Sequence, residues 1–96
     1  MTTYLVNVAL GQIHIAEGVR GDPYRCPMTR ALEDVTGQWG NCWVGFRIAR
    51  VTIPGERLMF ATLPEEARQW NDASDAGHPV EPATFTLEFI EREGGD

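Results

Sequence analysis

Between Gly18 and Arg30 the run Gly-Val-Arg-Gly-Asp-Pro-Tyr-Arg-Cys-Pro-Met-Thr-Arg gathers the residues best suited to chemistry. Gly18 and Gly21 make the segment pliable, and Pro27 suits the first turn of a helix that follows. The free N–H groups and the dipole of a helix start favour an anion, and Arg20, Arg25 and Arg30 fall within eleven residues. This arrangement predicts a site for a phosphate, a carboxylate or a nucleotide, held by Arg20, Arg25, Cys26 and Arg30. The opposing reading is local pairing, Arg30 with Asp34 at i+4 and Arg20 with Asp22 or Glu17. The glycine spacing matches neither the P-loop nor the dinucleotide fingerprint, so the pattern specifies no nucleotide class.

Cys26 is the nucleophile of this stretch. A helix start beside Arg25 is a setting that lowers a thiol pKa. The nearest base in sequence is His14, and His78 is the only other histidine. A small buried cysteine acting as a hydrophobe is the plainer alternative, and nothing else in the chain resembles a triad or an oxyanion site. The sequence therefore reads as a protein without enzymatic activity. His14, Cys26, Cys42 and His78 are single ligands with no C-x-x-C or H-x-x-x-H pair among them, so neither a metal nor a cofactor is expected. Trp39 and Trp43 flank Gly40, and an exposed indole there would anchor a protein partner; a core role for either is the alternative.

The balance of charge limits the partners. The chain has 96 residues, of which 43% are hydrophobic, and a formal net charge of -6. Residues 1–64 carry five acids against six arginines (+1), whereas residues 65–96 carry nine acids against two arginines (-7). The acidity thus belongs to the last third. It disfavours duplex nucleic acid, which calls for a basic surface. The exposed aromatics that a sheet would offer to single-stranded RNA reduce to Tyr4 and Phe60, without a paired pattern. No stretch approaches the length of a membrane span, and no secretory leader opens the chain. The expectation is a cytoplasmic protein with Cys26 and Cys42 as free thiols.

The elements that must position these residues follow from periodicity and punctuation. Residues 4–10 read as a strand, with Tyr4, Val6 and Val8 on one face and Leu5 and Leu10 marking the other. Residues 12–25 form a long connection in which Ile13, Ile15 and Val19 make a short 3₁₀ or α turn packed onto the core. Residues 26–37 read as a helix opened by Pro27 and closed by Gly37, with Met28, Ala31, Leu32 and Val35 on its core face. Residues 42–53 read as one long strand with Cys42, Val44, Phe46 and Ile48 on one face; a change of parity near 45–49 suggests a bulge. Pro54-Gly55 predicts a hairpin turn into a strand over 57–63. Residues 63–77 read as a second helix whose inner face is Ala67, Trp70 and Ala73 or Ser74. Phe85, Leu87 and Phe89 point inward from a last strand, before a frayed acidic tail over 91–96.

The order β-α-β-β-α-β predicts a single domain over 1–96. Its most economical closure is a ferredoxin-like α+β fold, a four-stranded antiparallel sheet with two helices on one face. A different α+β sandwich of the same elements is the alternative.

The pattern His14-Ile15-Ala16-x-Gly18-x-Arg20, with Cys26-Pro27 and Ala31-Leu32 after it, resembles a group of small phage-encoded proteins of high-GC actinobacteria. The likeness continues through Leu63-Pro64-x-x-Ala67 and Asp75-Ala76-Gly77-x-Pro79-Val80, with Pro82 and Phe85. It departs at Thr29-Arg30, where that group has apolar or small residues after Cys-Pro. The resemblance implies a phage accessory protein made in the host cytoplasm, with no activity attached. Two functions are expected from these readings. The first is binding of a host protein, to modulate or inhibit a host or defence function, through a surface bearing Trp39 and Trp43 or through the acidic last third. The second is sequestration of an anionic small molecule at the arginine cluster. Exposed edge strands would also permit a homodimer.

Overall fold

A computed structural model describes residues 3–53 and 57–92. The chain runs β1 (Thr3–Leu10), α1 (Gln12–Glu17), α2 (Pro27–Thr36), β2 (Cys42–Val44), β3 (Ile48–Ile53), β4 (Arg57–Thr62), α3 (Glu65–Asp75) and β5 (Ala83–Arg92). The five strands make one antiparallel sheet in the order β1-β5-β4-β3-β2. The α+β class is as the sequence predicts, but the four-stranded ferredoxin-like sheet is not what forms. β1 lies at an edge, and a fifth strand arises because residues 42–53 are two strands.

Their separation explains the change of parity. Gly45, Phe46 and Arg47 form a tight turn, with the Gly45 N–H donating to the Ile48 carbonyl at 2.9 Å, and β2 folds back on β3 through Cys42↔Val51 and Val44↔Ala49. The Trp43 ring lies where a Cβ on residue 45 would have to sit, so only glycine lets the chain reverse there. Cys42 and Val44 are buried, whereas Phe46 and Ile48 face solvent. A turn without proline, asparagine or aspartate is hard to distinguish from a bulge by sequence. The Pro54-Gly55 turn lies outside the described residues; the pairing Ile53↔Arg57 flanks it.

The sheet curls around α2. β5 pairs with β1 over its whole length, from Thr3↔Ile90 to Leu10↔Ala83, but meets β4 only at Leu58↔Arg92, Met59↔Glu91 and Phe60↔Ile90. Beyond Phe60 the two strands part, and the chain passes through α3 before returning. β5 continues through Glu91 and Arg92, so the acidic end is strand further than expected.

One core fills the concave side. Val8 and Leu10 from β1, Met28 and Leu32 from α2, Val51 from β3, Ala67 from α3, and Leu87 and Phe89 from β5 are all within it. Leu10 shares the inner face with Val8, which follows from strict alternation and corrects its assignment to the outer one. α2 forms as its punctuation requires: Pro27 at the first position, and Gly37 at φ 72° with its N–H on the Glu33 carbonyl. Val35, expected in the core, is half exposed, and Ile13 and Val19, also expected against it, are exposed because the short α1 buries no side chain. On α3 the buried side chains are Ala67, Asn71 and Ser74, and Trp70 sits at the margin. Its indole N–H donates to the Glu81 carbonyl at 2.9 Å, and its ring meets Phe85 edge-on with centroids 6.4 Å apart. No helix among the described residues is long and apolar enough to cross a membrane.

Candidate functional site: the arginine pocket beside the second helix

The segment ahead of α2 is knotted by its own hydrogen bonds. Val19 N–H donates to the Arg25 carbonyl, Cys26 N–H to the Asp22 carbonyl and Tyr24 N–H to the Asp22 carboxylate. The Thr29 hydroxyl donates to the Pro23 carbonyl at 2.5 Å, and its oxygen lies 3.2 Å from the Cys26 sulfur. Since the hydroxyl proton is committed to Pro23, the Cys26 thiol is the donor to Thr29. Burial pushes the Cys26 thiol up from its usual range. The sequence pointed the other way, to a helix start and Arg25 lowering it; desolvation of a side chain 3% exposed outweighs both. Thr29, which sequence reasoning left without a role, is the pin of this knot.

The start of α2 is acidic. A cavity of about 70 Å³ there is lined by Cys26, Asp22 and Asp75 among others, and Gly21 N–H donates to the Asp75 carboxylate at 3.1 Å. Among the described residues no arginine lines it. Arg20 instead lays its guanidinium against Gly77, where a Cβ would collide with it. The predicted set Arg20, Arg25, Cys26 and Arg30 is therefore divided among three places.

Arg25 and Arg30 stay together. With Tyr24, Glu33, Gly40 and Cys42 they line a second cavity, of about 270 Å³, on the flank of α2 that faces β2. The local pairing expected for Arg30 does not form, because Asp34 is taken by His14, Nε2 to Oδ2 at 2.5 Å. Gly11 N–H donates to the Nδ1 of the same ring, so the proton sits on Nε2 and the ring bridges α1 to α2. Among the described residues neither Arg25 nor Arg30 makes an ion pair, and the Arg30 Nε is buried with no hydrogen-bond partner.

Glu33, one turn on from Arg30, lines the same cavity. It is only 6% exposed, and its Oε2 accepts the Gly40 N–H at 2.7 Å. Gly40 has φ 79°, a conformation that glycine adopts without strain, and this bond fixes the loop that carries Trp39. Cys42 donates weakly to the Gln38 carbonyl, and burial, with Glu33 nearby, pushes its thiol up to about 11.

The two tryptophans behave differently. Trp39, next to Gly40, is 58% exposed, as is Tyr24 on the cavity wall. Trp43 is half-buried on the outer face of the sheet, with the Arg50 guanidinium 5.2 Å from its ring centroid. Trp39 thus stands exposed in the loop between Gln38 and Gly40, while Trp43 is committed to packing. Among the described residues no three His, Cys, Asp or Glu side chains are placed to hold a metal ion. Both cysteines are free and buried. No protein-family model, curated protein or solved structure matches this chain.

Proposed function

We propose that this chain is a non-enzymatic binding domain whose partner is a protein, engaged at the surface formed by Tyr24, Arg25, Arg30 and Trp39. The resemblance to phage accessory proteins makes that partner a host protein, bound in the host cytoplasm. The observation that carries the reading is the pair Arg25 and Arg30, which makes no ion pair among the described residues and lines a cavity with the exposed Tyr24. A guanidinium suits the paired oxygens of a carboxylate. Tyrosine, tryptophan and arginine are also the residue types that dominate binding energy at protein interfaces.

Size and charge favour a partner side chain over a free nucleotide. The cavity holds about 270 Å³, below the roughly 300–1,000 Å³ of typical small-molecule sites. The buried Glu33 carboxylate in its wall opposes a polyanion. An Asp or Glu of the partner meets both limits. Sequestration of a small monoanion at the same arginines is the second reading, supported by the same pair.

Capture from host lysate on immobilised protein tests the first reading. Wild type is expected to retain a specific protein, and both Arg30→Ala and Trp39→Ala to lose it; retention by both variants rules this surface out. Thermal shift with small carboxylates and nucleotides tests the second. Stabilisation that disappears in Arg30→Ala supports it, and a flat response across the series rejects it.

A further inference from the structure

The two edges of the sheet are finished differently. β2 is three residues long, and its Val44 N–H is taken by the Pro23 carbonyl at 3.0 Å, so the knotted loop closes that side. β1 is eight residues long, contains neither a charge nor a proline, and has no strand beyond it. Among the described residues the backbone of Leu5–Ala9 is hydrogen-bonded only by β5. β1 carries no lysine and no proline, is not short, and pairs with β5 without a bulge, so it lacks these devices that blunt an edge strand.

The core is uncovered at the same place. α2 ends at Thr36 before it reaches the end of the concave face, leaving an open groove of about 550 Å³ along β1. Val51 and Met59 lie at its floor and the half-exposed Val35 at its rim. Residues from both faces of β1 line it, Val6 from the inner and Leu5 from the outer, so the groove lies against the open backbone edge. Among the described residues no charged side chain lines it, and Leu5 is 71% exposed.

We propose that this edge is the interface of a homodimer in which β1 pairs antiparallel with β1 of a second copy about a two-fold axis. What the groove lacks is an uncharged strand with apolar side chains at alternate positions, and β1 is such a strand. A two-fold axis normal to the sheet keeps even-numbered residues on the concave side. Val6 and Val8 of the second copy then extend the apolar layer over the uncovered end, and Leu5 meets the outer face of its mate. The interface is separate from the arginine pocket, which lies on the other flank of α2.

Sedimentation velocity on the full chain, from micromolar to millimolar concentration, tests the proposal. Wild type is expected to sediment as a dimer and Leu5→Lys as a monomer, with the same far-UV circular dichroism. Trp39→Ala is expected to remain dimeric. A wild type that stays monomeric throughout overturns the proposal, as does a Leu5→Lys variant that dimerises like wild type. Loss of the dimer in Trp39→Ala overturns it too, by moving the contact to the other surface. Should Leu5→Lys fail to fold, Asn7→Lys, also on the exposed face of β1, provides the same test.

Discussion

On the flank of α2 that faces β2, polar groups are held by short hydrogen bonds, and one buried donor is left over: Glu33 fixes Gly40, Thr29 fixes Pro23, and the Arg30 Nε has no partner. On the flank that faces β1 the groove is lined by no charged side chain among the described residues, and what is left over is area, with Val51 and Met59 at its floor. The same ten-residue helix borders both. The first flank discriminates, since an unpaired donor is satisfied only by an acceptor placed to meet it; the second offers adhesion, since apolar burial has no direction. A small domain can thus separate recognition from self-association without a second core.

The largest test removes the support common to both flanks. Phe89→Ala, at a side chain with no exposure, is expected to cost about 3–5 kcal/mol in urea denaturation and to weaken both surfaces together. Glu33→Ala should act on the polar flank alone. It is expected to cost about 1–3 kcal/mol by removing the charge-assisted hydrogen bond that holds Gly40, and to alter the Trp39 fluorescence, with the β1 edge unchanged.

Alkaline pH addresses the same flank through Cys42. Its folded pKa, about 11, lies above the ordinary value of 9.0, so the folded state holds its proton more tightly than the unfolded chain. The stability this contributes is complete below pH 9 and is lost as pH rises towards 11, at no more than about 1.4 kcal/mol per pH unit. Denaturation of wild type against Cys42→Val across that window checks it; the chain has no lysine to titrate in the same range. The smallest effect is expected at Arg30→Ala. It should leave stability unchanged or slightly raised, because it deletes an unsatisfied buried donor, while abolishing partner capture.

What the sequence disclosed followed its strongest local signals. Pro27 and Gly37 bound α2 within a residue, Pro64 immediately precedes α3, and the alternation Phe85, Leu87, Phe89 gave the inner face of β5 correctly. The β2–β3 turn stayed hidden because its only mark is Gly45, whose necessity comes from the Trp43 ring rather than from any turn signature. The edge position of β1 was likewise invisible, since strand order is set by long-range pairing. At the site, Arg25 and Arg30 were found by residue type, and their separation from Arg20 and Cys26 was not. That separation depends on Asp75 and Gly77 approaching from α3, more than fifty residues further along the chain. Asp34 was assigned to Arg30 on helical spacing, and His14, distant in sequence, takes it instead.

The pairing of β1 with β5 has a consequence for synthesis. Among the described strands β1 is the first to be made, and the one it pairs with is the last, with about seventy residues between Leu10 and Ala83. At roughly 5–20 residues per second, β1 emerges roughly 4–15 s before the segment that will cover it. Throughout that interval the nascent chain presents an uncharged, strand-forming stretch with no mate. Ribosomes translating one message would bring such stretches close together, and the first partner each of them meets is another β1.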